Sequence, residues 1–384
     1  MTKKLYDEAP YERDFTAKVT ELHQGKQGVE VALDQTLFFP EEGGQSPDLG
    51  TLNGIKVKDV QIRDNVIWHT LDEGNHPQVG QQVEGHIDFD HRYDLMQQHS
   101  GEHVLSGIVH NTFGYNNVGF HLTEEIVTLD FDGPLSMEQV EQVEKAANEA
   151  VRKNLPIRGY YPEKETLKTL DYRSKKELDG PIRIVEIQGV DLCACCAPHV
   201  ATTGEIGSIH VVNRENYKGG VRLEIMCAKR AEEESRTMRK ILKALTKELS
   251  TNMEELPETV KRIKETSLEQ KGEIGRLTME LLTGKAEKIP AGESLVLFEE
   301  EMDATVQRNY VNLLMPKVSK IAAVMAKTST EDVYKYIIGS ETIDLKALQA
   351  QLKERLQAKG GGKTPMIQGT LEGTREEIES LLLK

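Results

Sequence analysis

RYDLMQQHSGEHVLSGIV, residues 92–109, is the stretch from which the reading of the fold starts. Leu95, Val104, Leu105, Ile108 and Val109 recur at helical spacing, which predicts a helix with a buried face. His99 and His103 sit one turn apart on that helix and project to the same side, so both imidazoles can grip one metal ion. The spacing matches the metalloprotease pattern H-E-x-x-H, but Ser100 occupies the place of its glutamate and Glu102 falls on the wrong turn for that role. Two histidines four apart on a half-buried helix are also commonly packed or hydrogen-bonded groups. A metal reading therefore needs further ligands.

They are found in VDLCACCAPHVATTGEIG, residues 190–207. The chain has four cysteines, at 193, 195, 196 and 227, and three of them cluster here beside His199. Such clustering in a reducing compartment points to metal ligation or a reactive thiol rather than to a disulfide framework. The segment reads as a loop between the strand-like IRIVEIQGV (182–190) and IGSIHVV (206–212). Joined to the helical histidines it completes four ligands of thiolate and imidazole type, a donor set suited to tetrahedral zinc. Cys193, Cys195 and Cys196 are all open as the thiolate ligand, and a four-ligand shell fits a structural zinc as well as a catalytic one. Ligands drawn from a distant helix and loop favour a cleft, hence the catalytic reading.

A chain of 384 residues has length for two to four domains. No apolar run approaches the span of a bilayer, and the charged start MTKKLYDEAPYERDFTAKV lacks a secretory core, so the expectation is a cytosolic protein with no membrane partner. The net charge of −15 argues against general nucleic-acid coating, while leaving room for a local basic strip that meets one RNA.

The expected fold class is α+β in four parts. Residues 1–90 alternate apolar and polar positions, as in FTAKVTEL, GVEVAL, VKDVQI and VIWHTL, and read as a small β-barrel. Residues 91–228 hold both ligand motifs, a helix opening at SMEQVEQVEKAANEAVRKN with Ser136 and Gln139 placed as a capping box, and strands such as IVTLDF and GVRLEIMCA. Residues 229–287 read as a helical linker or hairpin, with Pro257 in the first turn of the second helix. Residues 288–384 read as a small α/β domain with strands SLVLFEE and KIAAVMAK, helices IDLKALQAQLKERLQAK and TREEIESLLL, and a glycine-rich turn at KGGGK. The turn is not a P-loop, since Gly360–Gly362 lead to Lys363 outside that frame, but its amides and the charges of Lys359 and Lys363 suit a phosphate.

HSGEH (99–103), followed far downstream by CCAPHVATTGEIG, resembles the H-x-x-x-H and C-x-x-x-H pair of the editing domain shared by alanyl- and threonyl-tRNA synthetases. That resemblance selects His99, His103, Cys195 and His199 as ligands of one zinc ion per chain. Cys196, Ala197 and Pro198 depart from the family's usual C-G-G-T-H text. TLFFPEEGGQSPDLGTL (36–52) resembles the glycine-rich segment of the barrel preceding the core in alanyl-tRNA synthetases, with Glu42 in place of the first glycine and Gly43, Gly44 and Gln45 retained. KGGGKTPMIQGTLEG (359–373) resembles the signature of the domain that ends those synthetases. With no length before Thr36 for an aminoacylation domain, the sequence is similar to the long form of the free-standing, AlaX-type editing proteins.

The resemblance implies hydrolysis of mischarged Ser-tRNA(Ala), with Gly-tRNA(Ala) as a second substrate. A pocket built for alanine rejects an added hydroxyl poorly, and a separate hydrolytic sieve can bind that hydroxyl instead. The expected nucleophile is a water on or beside the zinc, with no protein base assigned. By the same resemblance Asn117 in YNNVGFH is a shorter amide where the family commonly has glutamine to read the hydroxyl, and Gly43, Gly44 and Gln45 are expected to meet substrate. His121 is a further pocket residue of this reading. Lys218 and Arg222 in NYKGGVRLE, with Lys359 and Lys363, are the residues expected to meet tRNA phosphates. A homodimer through the helical or C-terminal region is a further expectation. The rival readings are editing of Ser-tRNA(Thr) and a non-catalytic, zinc-containing tRNA-binding protein.

Overall fold

In a computed structural model, residues 1–25, 28–174 and 181–383 are described. The chain is a mixed α+β protein of two units, Met1–Ala244 and Leu245–Lys384.

In the first unit, six strands form a sheet that closes on itself. Their spatial order is Asp14–Gln24, Val29–Leu33, Val66–Leu71, Ile55–Arg63, Gly50–Leu52 and Gln82–Ile87, which returns to the first. Every neighbouring pair is antiparallel. The alternation that predicted these strands is what fills the interior: Val31, Leu33, Val57, Val60, Ile67 and Val83 point inward and are buried. Leaving the last of these strands, the chain enters helix α1, Phe89–Phe113, through Asp88, whose carboxylate accepts from the His91 N–H. It leaves the helix at Gly114, in the left-handed conformation usual for that end.

Helix α1 is buried nearly all round, as expected of a helix at the centre of a domain. One face meets the antiparallel sheet of Ile209–Tyr217, Gly220–Cys227, Val127–Phe131 and Asn117–Leu122, and the smaller sheet Ile157–Tyr160, Ile184–Ile187 and Asp191–Ala194 lies against it as well. Helix α2, Met137–Arg152, opens with the predicted capping box: Ser136 accepts from the Gln139 N–H, and Gln139 Oε1 accepts from the Ser136 N–H.

In the second unit, the helix Leu256–Glu287 carries Pro257 in its first turn. Five strands follow the spatial order Gly292–Glu299, Val318–Lys327, Val333–Gly339, Met366–Glu372, Lys359–Lys363. The central strand Val318–Lys327 sends Ile321, Ala323 and Met325 into one core and Ala322 and Val324 into the other, so helices cover both faces. The expected glycine turn at 359–363 is corrected here, because Gly360–Gly362 belong to an edge strand paired antiparallel with Met366–Glu372. At Gly360 a Cβ would stand 2.2 Å from the Gln368 carbonyl oxygen, so the lack of a side chain is what lets the two strands approach.

Among the described residues no helix is long and apolar enough to cross a membrane. His69 lies fully buried in the closed sheet, bonded to Thr36 Oγ1 (2.9 Å) and the Val31 carbonyl (3.0 Å). Burial lowers its pKa from 6.5 to about 4, the Val31 bond recovering only part. As pH falls from 6.5 toward 4, the unfolded chain therefore binds a proton that the folded chain refuses, and stability drops by roughly 3 kcal/mol at most. Urea unfolding followed by Trp68 fluorescence is expected to show this acid loss, and His69→Gln to flatten it.

Candidate metal centre

Helix α1 and the loop after Asp191–Ala194 bring the four predicted ligands together. One ligand atom from each of His99, His103, Cys195 and His199 lies within 4.8 Å of all the others. Cys195 Sγ is 3.5 Å from His99 Nε2 and 3.3 Å from His199 Nε2. Bonds of about 2.0 to 2.3 Å to a tetrahedral ion put neighbouring ligands roughly 3.5 Å apart, so the donor set fits a metal ion.

The three rings are aimed from behind. His99 Nδ1 donates to Gln45 Oε1 (2.7 Å), His103 Nδ1 to Asp191 Oδ2 (2.8 Å) and His199 Nδ1 to Ser100 Oγ (3.0 Å). With each Nδ1 held by an oxygen, each Nε2 turns to the shared centre, the arrangement by which outer groups orient metal-binding imidazoles. Arg173 in turn grips Asp191 with two bonds of 2.7 and 2.9 Å.

The charges of these groups follow from their crowding. Burial alone would raise the Cys195 thiol, but His99, His199 and the hydrogen bonds of His103 and His199 outweigh it and pull the thiol well below its ordinary value. Burial disfavours charge on His103, yet Glu102 and Asp191 overrule it and push its pKa up to about 10. Burial takes His199 the other way, to about 3. A metal bound here would be held by a thiol already inclined to ionise, and its binding would release the proton that His103 carries.

Several residues of this centre were not singled out as site residues in the sequence. Asp191 stands two positions before Cys193, and its proximity to the cysteine cluster is the only local signal for it. Glu102, set aside because it does not follow the first histidine, is fully buried with Oε2 3.8 Å from His103 Nε2. Asn117 is present but engaged: its Nδ2 donates to Glu102 Oε1 (2.6 Å) and Ser106 Oγ (3.1 Å), and its Oδ1 accepts from the Gly119 N–H (3.1 Å).

The loop of Gly43, Gly44 and Gln45 is fastened to the strand Asn117–Leu122. The Leu122 N–H donates to the Gly44 carbonyl and the Ser46 N–H to the Leu122 carbonyl. Gly44 has φ +88°, and a Cβ there would stand 2.4 Å from the Phe120 carbonyl oxygen, so only glycine permits the approach. The approach seats Gln45, fully buried, against His99, and leaves its Nε2 buried with no hydrogen-bond partner among the described residues. Arg222 is held by Asp130 on the adjoining strand (2.6 and 2.8 Å) and stacks over Tyr217, whereas Lys218 sits exposed in the hairpin turn. Lys359 and Lys363 lie exposed at the ends of the edge strand of the second unit.

Two family models match the chain: tRNA synthetases class II (A) over residues 6–91, and the threonyl and alanyl tRNA synthetase second additional domain over residues 182–224, which contains Cys195 and His199. The alanyl-tRNA editing protein AlaX-L of Pyrococcus horikoshii is 28% identical over 100% of this chain and 98% of its own length. The alanine–tRNA ligase of Ignicoccus hospitalis is 34% identical over 68% of this chain, and that of Pyrococcus abyssi 30% identical over 99% of it. These ligases are longer proteins, of which the chain spans 30% and 43%. The resemblance carried by the motifs is therefore a relationship that runs the length of the chain.

Metal analysis of purified variants tests the ligand set. Cys195→Ala is expected to lose bound metal and Cys193→Ala to keep it, while Gln45→Ala weakens metal affinity by about 10- to 100-fold through the freed His99 ring.

Proposed function

We propose, for a chain related over its whole length to an alanyl-tRNA editing protein, that it is an aminoacyl-tRNA deacylase that hydrolyses the ester of Ser-tRNA(Ala), and of Gly-tRNA(Ala) as a second substrate. The observation that carries the reading is that one ligand atom from each of His99, His103, His199 and Cys195 lies within 4.8 Å of the others, with every Nδ1 anchored from outside. In this reading His99, His103, Cys195 and His199 hold one zinc ion, since thiolate with imidazole is the donor set zinc prefers. When bound, zinc supplies a Lewis acid that draws electron density from the ester carbonyl.

The chain's own groups do the rest. Gln45 offers its buried Nε2–H to the acyl oxygen, a donor that has no partner among the described residues. Gly44 keeps the loop pressed to Phe120, whose ring lies 4.7 Å from that of His99. Lys218 in the first unit and Lys359 and Lys363 in the second meet phosphates of the tRNA; Arg222, held by Asp130, contributes by bracing the hairpin that carries Lys218. The attacking group is a water beside the metal site.

A shell of four protein ligands is also the composition of a structural zinc site, which keeps the non-catalytic tRNA-binding reading as the alternative. Release of serine from Ser-tRNA(Ala), with Ala-tRNA(Ala) and Ser-tRNA(Thr) alongside and zinc content determined, decides between them. Selective release from the first substrate is expected, with His103→Ala reducing it by at least about a hundredfold. Zinc-loaded protein that binds tRNA and releases nothing would overturn the enzyme reading.

A further inference from the structure

The support behind His103 reaches further than Asp191. Arg173 lies alongside the strand Asp191–Ala194 and is tied to it by its backbone: its N–H donates to the Leu192 carbonyl (2.8 Å), and its own carbonyl accepts from the Ala194 N–H (2.9 Å). Its side chain folds back onto the same strand, where Nε donates to Asp191 Oδ1 (2.7 Å) and a terminal nitrogen to Oδ2 (2.9 Å). Oδ2 is also the atom that accepts from His103 Nδ1 (2.8 Å), so guanidinium, carboxylate and imidazole form one hydrogen-bonded row. A cleft of about 730 Å³ has Arg173 and Asp191 in its wall, whereas the supports of the other two rings, Gln45 and Ser100, are fully buried.

We propose that Arg173 is a positioning residue of the metal centre: by holding Asp191 at both oxygens it fixes the tilt of the His103 ring, and so the point at which that ring meets the other three donors. The inference rests on the metal reading of the four donors and names a residue outside that set on which their grip depends. Three observations carry it. A guanidinium has donors only and stays charged, so both Asp191 oxygens accept from it, and the second lone pair of Oδ2 is left for the Nδ1–H of His103. Two parallel bonds leave the carboxylate no free rotation, which a single bond from a lysine would allow. The backbone bonds to Leu192 and Ala194 hold the arginine in register with the strand that runs directly into Cys195. One short strand thereby locates a donor from the helix, His103, and a donor from the loop, Cys195.

The test measures the zinc affinity of the purified full chain by competition with a chromophoric chelator. Arg173→Ala is expected to weaken zinc binding by about 10- to 100-fold, and Arg173→Lys, which keeps the charge but loses the two-point hold, by less. Guanidinium chloride at millimolar, non-denaturing concentration is expected to recover part of the loss in Arg173→Ala by entering the vacated space beside the cleft, while sodium chloride at the same ionic strength recovers none. In an Asp191→Ala background the change at Arg173 is expected to have no further effect, because the two residues act through one bond to His103. Unchanged affinity in Arg173→Ala would overturn the proposal, as would additive losses in the double variant. A loss that neither lysine nor guanidinium relieves would make Arg173 a support of the fold alone and overturn it too. Should Arg173→Ala fail to fold, Arg173→Lys carries the test, since wild-type affinity there would contradict the two-point hold. A wild type that binds no zinc would instead overturn the metal reading itself, and the role of Arg173 with it.

Discussion

Arg92 and Asp48 form the interaction on which the metal centre depends. Both side chains are fully buried. The guanidinium donates to both Asp48 oxygens and to the carbonyls of Pro10 (3.0 Å) and Leu37 (2.5 Å), while Asp48 also accepts from the Phe39 N–H (2.5 Å). A buried pair of this kind contributes little net stability against its desolvation, yet removing one partner costs about 3 to 5 kcal/mol. Its value is geometric. Arg92 stands at the start of α1 and Asp48 just after the loop of Gly43 to Gln45, so the pair fixes the closed sheet against the helix that bears His99 and His103. Between the two anchor points Gln45 meets His99 at 2.7 Å.

The same logic runs along α1. Arg92, Gln98, His99, Ser100, Glu102, His103 and Ser106 are polar and buried, in a helix that would otherwise read as a core element. They tie the helix to different parts of the unit: Arg92 to Asp48, Gln98 to the backbone of Cys227, His99 to Gln45, Ser100 to His199, His103 to Asp191, Glu102 to Asn117. A network of this kind is costly if any member is missing and rigid when complete. Rigidity is what a site needs if it must tell two amino acids apart by a single hydroxyl.

What was legible in the sequence was local. His99 with His103 shows itself through fixed spacing, as do the Ser136 and Gln139 cap, the Pro257 first turn and the alternation in VEVAL or VIWHTL, while Cys195 was separated from Cys193 and Cys196 by the family resemblance alone. What escaped was set by distance in space. Gln45 and His99 are 54 positions apart, and His103 and Asp191 are 88 apart, so no pattern along the chain pairs them. Glu102 was set aside as the base of an H-E-x-x-H motif, and its burial against Asn117, 15 positions on, is a feature of the fold that no motif along the chain displays. KGGGK was read as a turn because glycine favours turns; in the fold the same lack of side chains serves an edge strand pressed close to its neighbour.

The 96 positions between His99 and Cys195 carry a consequence for how the protein is made. A nascent chain emerges from the ribosome with its histidine pair well before the cysteine and third histidine exist, and domains form as their sequence becomes available. The early half offers two imidazoles and no thiolate, a weak grip, so a metal ion would be held by all four donors only after His199 has been synthesised. A metal ion held by the four donors would join helix α1 to the loop after Asp191–Ala194 and so add its binding free energy to that of folding.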